Sequence, residues 1–323
     1  MVKPECSMQT AAQIEPSQRA VSSHDFWKGL WHLADPKISL ASLASMFLGA
    51  CAAAAVGPLH VGWLALTVLG IFAIEVAKNA SGEIFDFDSG TDLAIAADDR
   101  SPFSGGKRVL VDGLLTRGET IAISAIGYAI GLAAGFAIAW LREPGILWFG
   151  LVGVACAYLY HAPPAKLSYR GLGEIAVAIC YGPLIAIGTF LVQRSSGGGL
   201  VVLTAIPLGL LIAAFLWINE FPDYLADRAA GKRTLVVRLG RKAASRVFAV
   251  IVFAAFGMLA VLPLMGAPKG VLLGAVALLP GLKAARMLMR QPEWTSAIIP
   301  AQSRTLVAFL LYALGVGLGF LLS

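Results

Sequence analysis

Two acidic clusters in this chain have residue types and spacing that can hold metal ions and phosphate. Asn219, Asp223 and Asp227 recur every four residues directly after an apolar run, and Lys232 and Arg233 follow them. In a helix, this spacing places the amide and both carboxylates on a single face. Carboxylates beside a basic pair can hold hard divalent cations, which in turn hold a phosphate-rich ligand. The segment therefore predicts a diphosphate site.

The second acidic cluster follows another apolar run, closer to the N-terminus. Asn79, Glu83 and Asp86 occur at i, i+4 and i+7, which predicts that they share one helical face. Gly90 is expected to end that helix before Asp92. Taken alone, this cluster has an alternative interpretation as a solvated loop whose charge balances the basic residues that follow it.

The positions of the two clusters favour a shared site. Each follows an even-numbered apolar span, and four spans separate them, a pattern that resembles a weak internal duplication. Two halves would each contribute an acidic helix end to one cavity. Two or three Mg²⁺ ions could then bridge the opposed carboxylates to a diphosphate.

A proline-stiffened loop between the clusters carries further polar residues. Lys166 and Arg170 are candidates for binding phosphate oxygens, although basic residues that fix membrane topology have the same pattern. Tyr158 and Tyr160 are either interfacial aromatics or rings that face a developing carbocation. His161 is interpreted as an interfacial residue rather than a ligand, because no second histidine lies at ligand spacing.

The composition indicates a membrane protein. Hydrophobic residues make up 58% of the 323 residues and charged residues 14%, and the mean hydropathy is +0.78. About nine apolar stretches are long enough to cross a bilayer of roughly 30 Å, and each should be a helix because lipid offers no partner to a strand edge. These stretches lie near 39–57, 60–78, 119–141, 145–161, 174–193, 199–218, 245–266, 269–289 and 303–322.

The distribution of basic residues predicts the orientation. If the N-terminus is cytoplasmic, 22 of the 25 Lys and Arg residues lie on the cytoplasmic side, and only Arg142, Arg194 and Lys269 lie outside. An odd number of spans then places Ser323 on the opposite face. This asymmetry explains the net charge of +6, so nucleic acid is not expected as a partner.

The same reading predicts the organisation and location of the chain. Residues 1–26 are polar, lack a signal-peptide core and are expected to form a mobile cytoplasmic tail. Residues 27–323 would form one all-helical transmembrane domain. We expect a multi-pass protein of a bacterial-type inner membrane, with its N-terminus and acidic loops in the cytoplasm.

Four ordered motifs resemble the UbiA superfamily of intramembrane prenyltransferases, and most closely its naphthoate-prenylating, menaquinone-pathway branch. The resemblance extends from about residue 27 to the last span. The motifs are DFDSGTD at 86–92, SGGKRVLVDGLL at 104–115, PPAKLSYRGLGE at 163–174 and NEFPDYLADRAAGKRTLVVRLG at 219–240.

The resemblance implies a fold and a set of roles. The fold would be a nine-span helical bundle with a lipid-facing slot for a polyprenyl chain and a polar cap that holds Mg²⁺ and diphosphate. Asp86 and Asp92 would take the first metal-binding role, and Asp223 and Asp227 the second. Asn219 would orient the second set.

One position departs from the family pattern. The family usually has Asn four residues before the first Asp, where this chain has Gly82, and Glu83 stands where Asp is common. Asn79 lies seven residues before Asp86, about 10 Å along a helix axis, which is too far for both to bind one ion. Glu83 is therefore predicted as a metal ligand, and Asn79 as a contact of the diphosphate.

The chemistry implied by the resemblance is the transfer of a polyprenyl group to an aromatic quinone precursor. Mg²⁺ and basic side chains would neutralise the departing diphosphate, and a site within the membrane would keep water from the allylic cation. Alternative acceptors are a hydroxybenzoate, a homogentisate, a chlorophyll or haem precursor, or a glycerol phosphate. A membrane carrier is the non-enzyme alternative.

Overall fold

The computed structural model describes residues 23–323, which are mainly helical. Residues 1–22 of the expected tail lie outside the described residues, and helix α1 begins at Ser23. The α-helices are α1 Ser23–Ala34, α2 Pro36–Ala54, α3 Val61–Asp88, α4 Arg117–Leu141, α5 Ile146–Leu159, α6 Gly173–Ile179, α7 Ile185–Arg194, α8 Gly199–Asn219, α9 Tyr224–Ala229, α10 Leu235–Leu239, α11 Arg241–Val261, α12 Leu278–Arg290 and α13 Thr295–Leu321.

Eight helical segments within residues 23–323 are long and apolar enough to cross a membrane. A π-helical turn joins α6 to α7 into one of them, and short 3₁₀ segments extend α11 and α12. The ninth expected span corresponds to α5, which is apolar but has only 14 residues. At 1.5 Å per residue, α5 is about 21 Å long, shorter than a hydrocarbon core of roughly 30 Å. The expected all-helical membrane bundle is confirmed, with one short member.

Glycines bring α3 and α4 together. A Cβ added at Gly127 would lie 2.8 Å from the carbonyl oxygen of Ala73, and one at Gly131 would lie 3.1 Å from that of Gly70. These two positions, four residues apart, therefore allow a close approach of the two helix backbones. Gly135, four residues further along α4, faces open space.

The largest buried core lies in the other half of the bundle, among α2, α8, α11 and α13. Buried polar side chains in this core bind backbone carbonyls across helices. The Tyr312 hydroxyl donates to the carbonyl of Thr204 at 2.9 Å, and the Trp217 indole donates to that of Ala244 at 3.1 Å. These bonds fix the relative height of the helices and satisfy polar groups away from water.

The first acidic cluster lies on a helix, as expected. Helix α3 continues beyond residue 78, the expected end of the span, to Asp88, so it carries Asn79, Glu83 and Asp86. It ends just before Gly90, which has a positive φ of 79°. The predicted break before Asp92 is therefore confirmed.

The second acidic cluster does not form one continuous helix, so that expectation is wrong. Helix α8 ends at Asn219, residues 220–223 form a turn, and α9 begins at Tyr224. Pro222 has no N–H to donate, and it disfavours helical geometry in the residue before it. Asp223 and Asp227 still share one turn, because the Asp227 N–H donates to the Asp223 carbonyl at 2.8 Å.

Candidate active site

The two acidic clusters meet in one polar cavity of about 550 Å³ between the ends of α3 and α8. Its wall also includes the segment 100–108 and the loop that follows α5. The predicted metal- and diphosphate-binding residues that line this cavity are Asn79, Asp86, Asp92, Asn219, Asp223, Asp227 and Lys232.

Lys232 joins the two clusters. Its Nζ lies 3.7 Å from Asp86 Oδ2 and 3.6 Å from Asp227 Oδ1, so one ammonium stands between carboxylates of both clusters. It also lies 5.4 Å from the centroid of the Tyr169 ring. Burial lowers the pKa of Lys232, but Asp227 and Asp86 outweigh burial and hold this pKa well above its usual range.

Asp86 is the most heavily contacted carboxylate of the first cluster. The Tyr169 hydroxyl donates to its Oδ1 at 2.7 Å, and Nε2 of His161 lies 3.6 Å from its Oδ2. Burial, followed by the neighbouring Asp86 carboxylate, raises the pKa of Tyr169 to about 12, which keeps this hydroxyl a donor.

The carboxylates of the second cluster have few partners. Within residues 23–323, Oδ1 of Asp223 and Oδ1 of Asp227 are buried and accept no hydrogen bond. Oδ2 of Asp223 accepts a weak hydrogen bond from the Gly105 N–H at 3.4 Å. Burial, and then repulsion between the two carboxylates, raises the pKa of Asp223 to about 8. Burial raises that of Asp227 to about 6 despite the nearby Lys232.

Asp92 completes the acidic wall from the loop after α3. It is buried, and burial followed by repulsion from Asp86 and Glu83 raises its pKa to about 8. One glycine of the 104–115 motif, Gly106, lies against this carboxylate. Gly106 has a φ of 73°, and a Cβ there would overlap the Asp92 carboxylate. Glycine is therefore required at this close approach.

Glu83 does not reach the cavity as a free ligand. Its Oε2 accepts a hydrogen bond from the Arg108 N–H at 3.1 Å, and its Oε1 accepts one from the Leu110 N–H at 3.0 Å. Both oxygens therefore hold the backbone of the 104–115 motif, which positions Gly105 and Gly106 beside the carboxylates. These contacts give Glu83 the position of a loop clamp, and its metal role stays a prediction.

The two candidate asparagines do line the cavity. Asn79 is anchored through its Nδ2, which donates to the Leu33 carbonyl at 2.7 Å. Asn219 Oδ1 accepts a hydrogen bond from Gln302 Nε2 at 3.1 Å. Gln302 was not expected from the sequence, because it lies in the last span, far from any acidic cluster.

Three basic residues assigned to phosphate binding do not line the cavity, so their role stays a prediction. The side chains of Arg170 and Arg233 are exposed, and Lys166 Nζ lies 5.2 Å from the centroid of the Tyr169 ring. Their backbones support the site instead. The Arg233 N–H donates to the Tyr169 carbonyl at 2.9 Å, and the Arg170 carbonyl accepts from the Arg238 side chain at 2.7 Å.

An apolar cavity of about 190 Å³ adjoins the polar one, between α3, α4, α5 and the α6–α7 span. Lys78 and Tyr160 line both cavities, so they mark the junction. Lys78 Nζ lies 5.8 Å from the ring centroids of Tyr160 and Tyr181. Glu75 lies in the wall below and accepts a hydrogen bond from the Ser42 hydroxyl at 3.1 Å. The acidic motifs of the sequence do not point to Lys78.

The donor chemistry of the polar cavity fits Mg²⁺ that is shared with phosphate. In the part of the chain that the structure describes, no three His, Cys, Asp or Glu side chains form a ready-made metal cage. Mg²⁺ prefers oxygen ligands and usually binds through one or two carboxylates together with substrate phosphates. The buried oxygens of Asp223 and Asp227 that accept no hydrogen bond are such ligands.

A known family and several known proteins are similar to this chain in sequence. Residues 42–299 match the UbiA prenyltransferase family. The 1,4-dihydroxy-2-naphthoate octaprenyltransferase of Mycobacterium tuberculosis is 30% identical over 257 residues, which cover 79% of this chain and 84% of that protein. The 2-carboxy-1,4-naphthoquinone phytyltransferase of Synechocystis is 28% identical over 242 residues, or 74% of this chain and 75% of that protein.

A solved structure shares the fold. The structure of a UbiA homologue from Archaeoglobus fulgidus bound to GPP and Mg²⁺ superimposes with a TM-score of 0.60 and 17% identity. The match covers 89% of this chain and 99% of the archaeal one.

Proposed function

This chain belongs to the UbiA prenyltransferase family, and from that premise we propose that it transfers a polyprenyl group from a prenyl diphosphate to a 1,4-dihydroxy-2-naphthoate-like aromatic acceptor. The observation that carries the proposal is the position of Lys232 between Asp86 and Asp227, beside buried carboxylate oxygens that accept no hydrogen bond. The relatives named for naphthoate substrates support the acceptor class.

The polar cavity is the proposed diphosphate site. Asp223 and Asp227 would hold Mg²⁺ on one side, and Asp86 and Asp92 would hold it on the other. Bound Mg²⁺ would neutralise the charge that develops on the leaving diphosphate. Lys232 contributes a fixed positive charge to the same end, in a buried place where electrostatic stabilisation is strong.

The apolar cavity is the proposed site of the reacting carbon chain. A diphosphate in the polar cavity places the allylic carbon at the junction, beside Tyr160 and Lys78. The C–O bond breaks with its electron pair on the diphosphate, and an electron-rich ring carbon of the acceptor supplies the pair for the new C–C bond. That carbon then loses its former substituent, a proton or a carboxylate as carbon dioxide, and the electron pair of the broken bond restores the aromatic ring. The Tyr160 ring can stabilise the cation through its face, and the apolar walls exclude water.

A substrate panel tests this proposal. Purified protein is incubated with labelled prenyl diphosphate, Mg²⁺ and one acceptor at a time, and products are identified by mass. We expect a prenylated product from the naphthoate. Its formation should require Mg²⁺ and should stop when a chelator is added. If a product forms only with a hydroxybenzoate, a homogentisate, a chlorophyll or haem precursor, or glycerol phosphate, that compound would replace the naphthoate as the proposed acceptor. The absence of any covalent product would favour the carrier.

We further propose that the polar cavity faces the cytoplasm of a bacterial-type inner membrane. Arg142 and Arg194 are two of the three basic residues expected outside, and they lie together. Arg142 donates to a backbone carbonyl at the C-terminal end of α7, and Arg194 donates to one at the C-terminal end of α2. Helix α13 starts beside Asp99, near the cavity, and runs toward that far end. A reporter fused after Ser323 should therefore be outside, and tags near Arg100 and Lys232 inside. A cytoplasmic C-terminus would overturn the orientation.

A further inference from the structure

Position 82 and His161 occupy the same space. A Cβ added at Gly82 would lie 2.6 Å from both Cε1 and Nδ1 of the His161 ring, closer than real Cβ contacts. Any side chain at position 82, including the asparagine usual in the family pattern, would therefore displace this imidazole. The glycine at 82 and the histidine at 161 form a matched pair.

The imidazole that fills this space contacts the first acidic cluster. His161 lines the polar cavity, its side chain is only 14% exposed, and its Nε2 lies 3.6 Å from Asp86 Oδ2. The ring packs edge-on against Tyr160 with centroids 4.8 Å apart. Its Nδ1 is buried and has no hydrogen-bond partner within the described residues. A residue that served only to fill volume would not leave a polar atom unpaired, because such an atom costs free energy.

We propose that His161 is a positioning residue for Asp86 and takes the place of the missing asparagine at position 82. Tyr169 holds one oxygen of Asp86 and His161 flanks the other, so together they set the direction of the carboxylate. An amide from α3 and an imidazole from the loop after α5 are both neutral groups with a donor and an acceptor. The imidazole can therefore take over the role of the amide, although it enters the same space from the opposite side. This inference rests on the proposed diphosphate site.

Ligand binding tests the positioning role without requiring turnover. Binding of Mg²⁺ with inorganic diphosphate is measured by calorimetry on purified wild type, His161→Ala, Gly82→Asn, and the double variant Gly82→Asn/His161→Ala. We expect His161→Ala to weaken binding about tenfold, the scale for a lost partner of a metal-binding carboxylate. Gly82→Asn should weaken binding more, because it displaces the imidazole. The double variant should bind more tightly than Gly82→Asn. His60→Ala is the matched control, because this exposed histidine lies at the other end of α3.

Thermal unfolding tests the shared space independently of any ligand. Gly82→Ala should lower the melting temperature of the wild-type protein, because its Cβ meets the imidazole. The same substitution in the His161→Ala background should lower the melting temperature only slightly. The effects of the two substitutions on the melting temperature should therefore be strongly non-additive. Equal costs in both backgrounds would show that position 82 and His161 do not compete.

The outcomes separate this inference from the proposed function. Diphosphate binding by wild type that is unchanged in His161→Ala would overturn the role of His161 and leave the proposed function standing. A wild-type protein that binds no Mg²⁺–diphosphate would overturn both. Weakened binding in His161→Ala, with recovery in the double variant relative to Gly82→Asn, supports the exchange.

Discussion

The two acidic clusters differ in how many hydrogen bonds their carboxylate oxygens accept. In the first cluster, Asp86 accepts a hydrogen bond from Tyr169, and both oxygens of Glu83 accept hydrogen bonds from the backbone of the 104–115 motif. In the second cluster, Asp223 and Asp227 each keep a buried oxygen that accepts no hydrogen bond within residues 23–323. The first cluster is thus organised in advance, whereas the second needs a cation to complete it.

This difference follows from the local backbone. Helix α3 runs without interruption into the first cluster and packs against the loop that Glu83 fixes. The second cluster follows the break at Pro222, which separates α9 from α8. Buried carboxylates that accept few hydrogen bonds repel one another and favour a bound cation. The second cluster should therefore depend most strongly on metal.

The largest expected effect is the loss of a carboxylate from the second cluster. Asp223→Asn or Asp227→Asn should lower turnover at least about a hundredfold, the scale of a lost electrostatic contributor, while the protein remains inserted and folded. Asp88→Asn is the matched control, because Asp88 is half-exposed and pairs with Arg117 at 2.8 Å outside the cavity. Near-normal turnover in either variant would remove that residue from the metal site.

Removal of the bridge between the clusters should have the next largest effect. Lys232→Met deletes the ammonium shared by Asp86 and Asp227 and should lower kcat by about ten- to a hundredfold. Excess Mg²⁺ should restore part of the loss, because cations can replace the missing charge. Arg233→Met, whose side chain is exposed, should stay within about twofold of wild type. Equal losses of kcat in both variants would mean that Lys232 acts only through the positive charge of the region and not through its position between the two carboxylates.

A smaller effect distinguishes a clamp from a ligand within the first cluster. Spacing alone predicts that Glu83→Gln raises the Mg²⁺ requirement more than Asn79→Ala does. The contacts predict the reverse, because Glu83 binds backbone N–H groups and Asn79 lines the cavity. Glu83→Gln should lower the free energy of unfolding by about 1–3 kcal/mol with little change in half-saturating Mg²⁺. A Mg²⁺ titration and a melting curve for each variant decide between these roles.

The pH dependence of stability should be the smallest effect. Burial raises the pKa values of Asp223 to about 8 and Asp227 to about 6, above an ordinary 3.8. The stabilisation that comes from keeping both carboxyl groups protonated is fully present below pH 3.8. It is lost as the pH rises through 6 and 8. Metal-free protein should therefore melt at a lower temperature at pH 9 than at pH 5, and Mg²⁺ should stabilise it more at pH 9. The Asp223→Asn/Asp227→Asn variant should lose most of this dependence; an undiminished slope would assign it elsewhere, for instance to Asp92.

The sequence predicted the acidic residues well because their chemistry is carried by residue type and spacing. Asp86, Asp92, Asp223 and Asp227 needed only the helix period and the pairing of two span ends to be placed in one cavity. The break at Pro222 was missed, although proline seldom continues a helix. The fold followed from apolar lengths, and only α5 proved shorter than a full span.

Other roles depended on contacts that leave no local pattern. Glu83 binds backbone N–H groups, which every residue other than proline has, so nothing in the sequence marks its partners. His161 was judged by histidine spacing along the chain, whereas its neighbour Asp86 lies on a distant helix. Lys166, Arg170 and Arg233 illustrate a different ambiguity, because a basic residue at a span end looks the same whether it binds phosphate or fixes topology.

The central claim is that both acidic clusters hold one diphosphate through shared cations. Crystals grown with an unreactive prenyl thiolodiphosphate and Mn²⁺ in place of Mg²⁺ test it through the anomalous signal of the metal. The account predicts metal peaks at bonding distance from Asp223 or Asp227 and from Asp86 or Asp92, with the diphosphate between them and beside Lys232. A diphosphate bound without metal at the second cluster, or metal bound only outside the polar cavity, would contradict it.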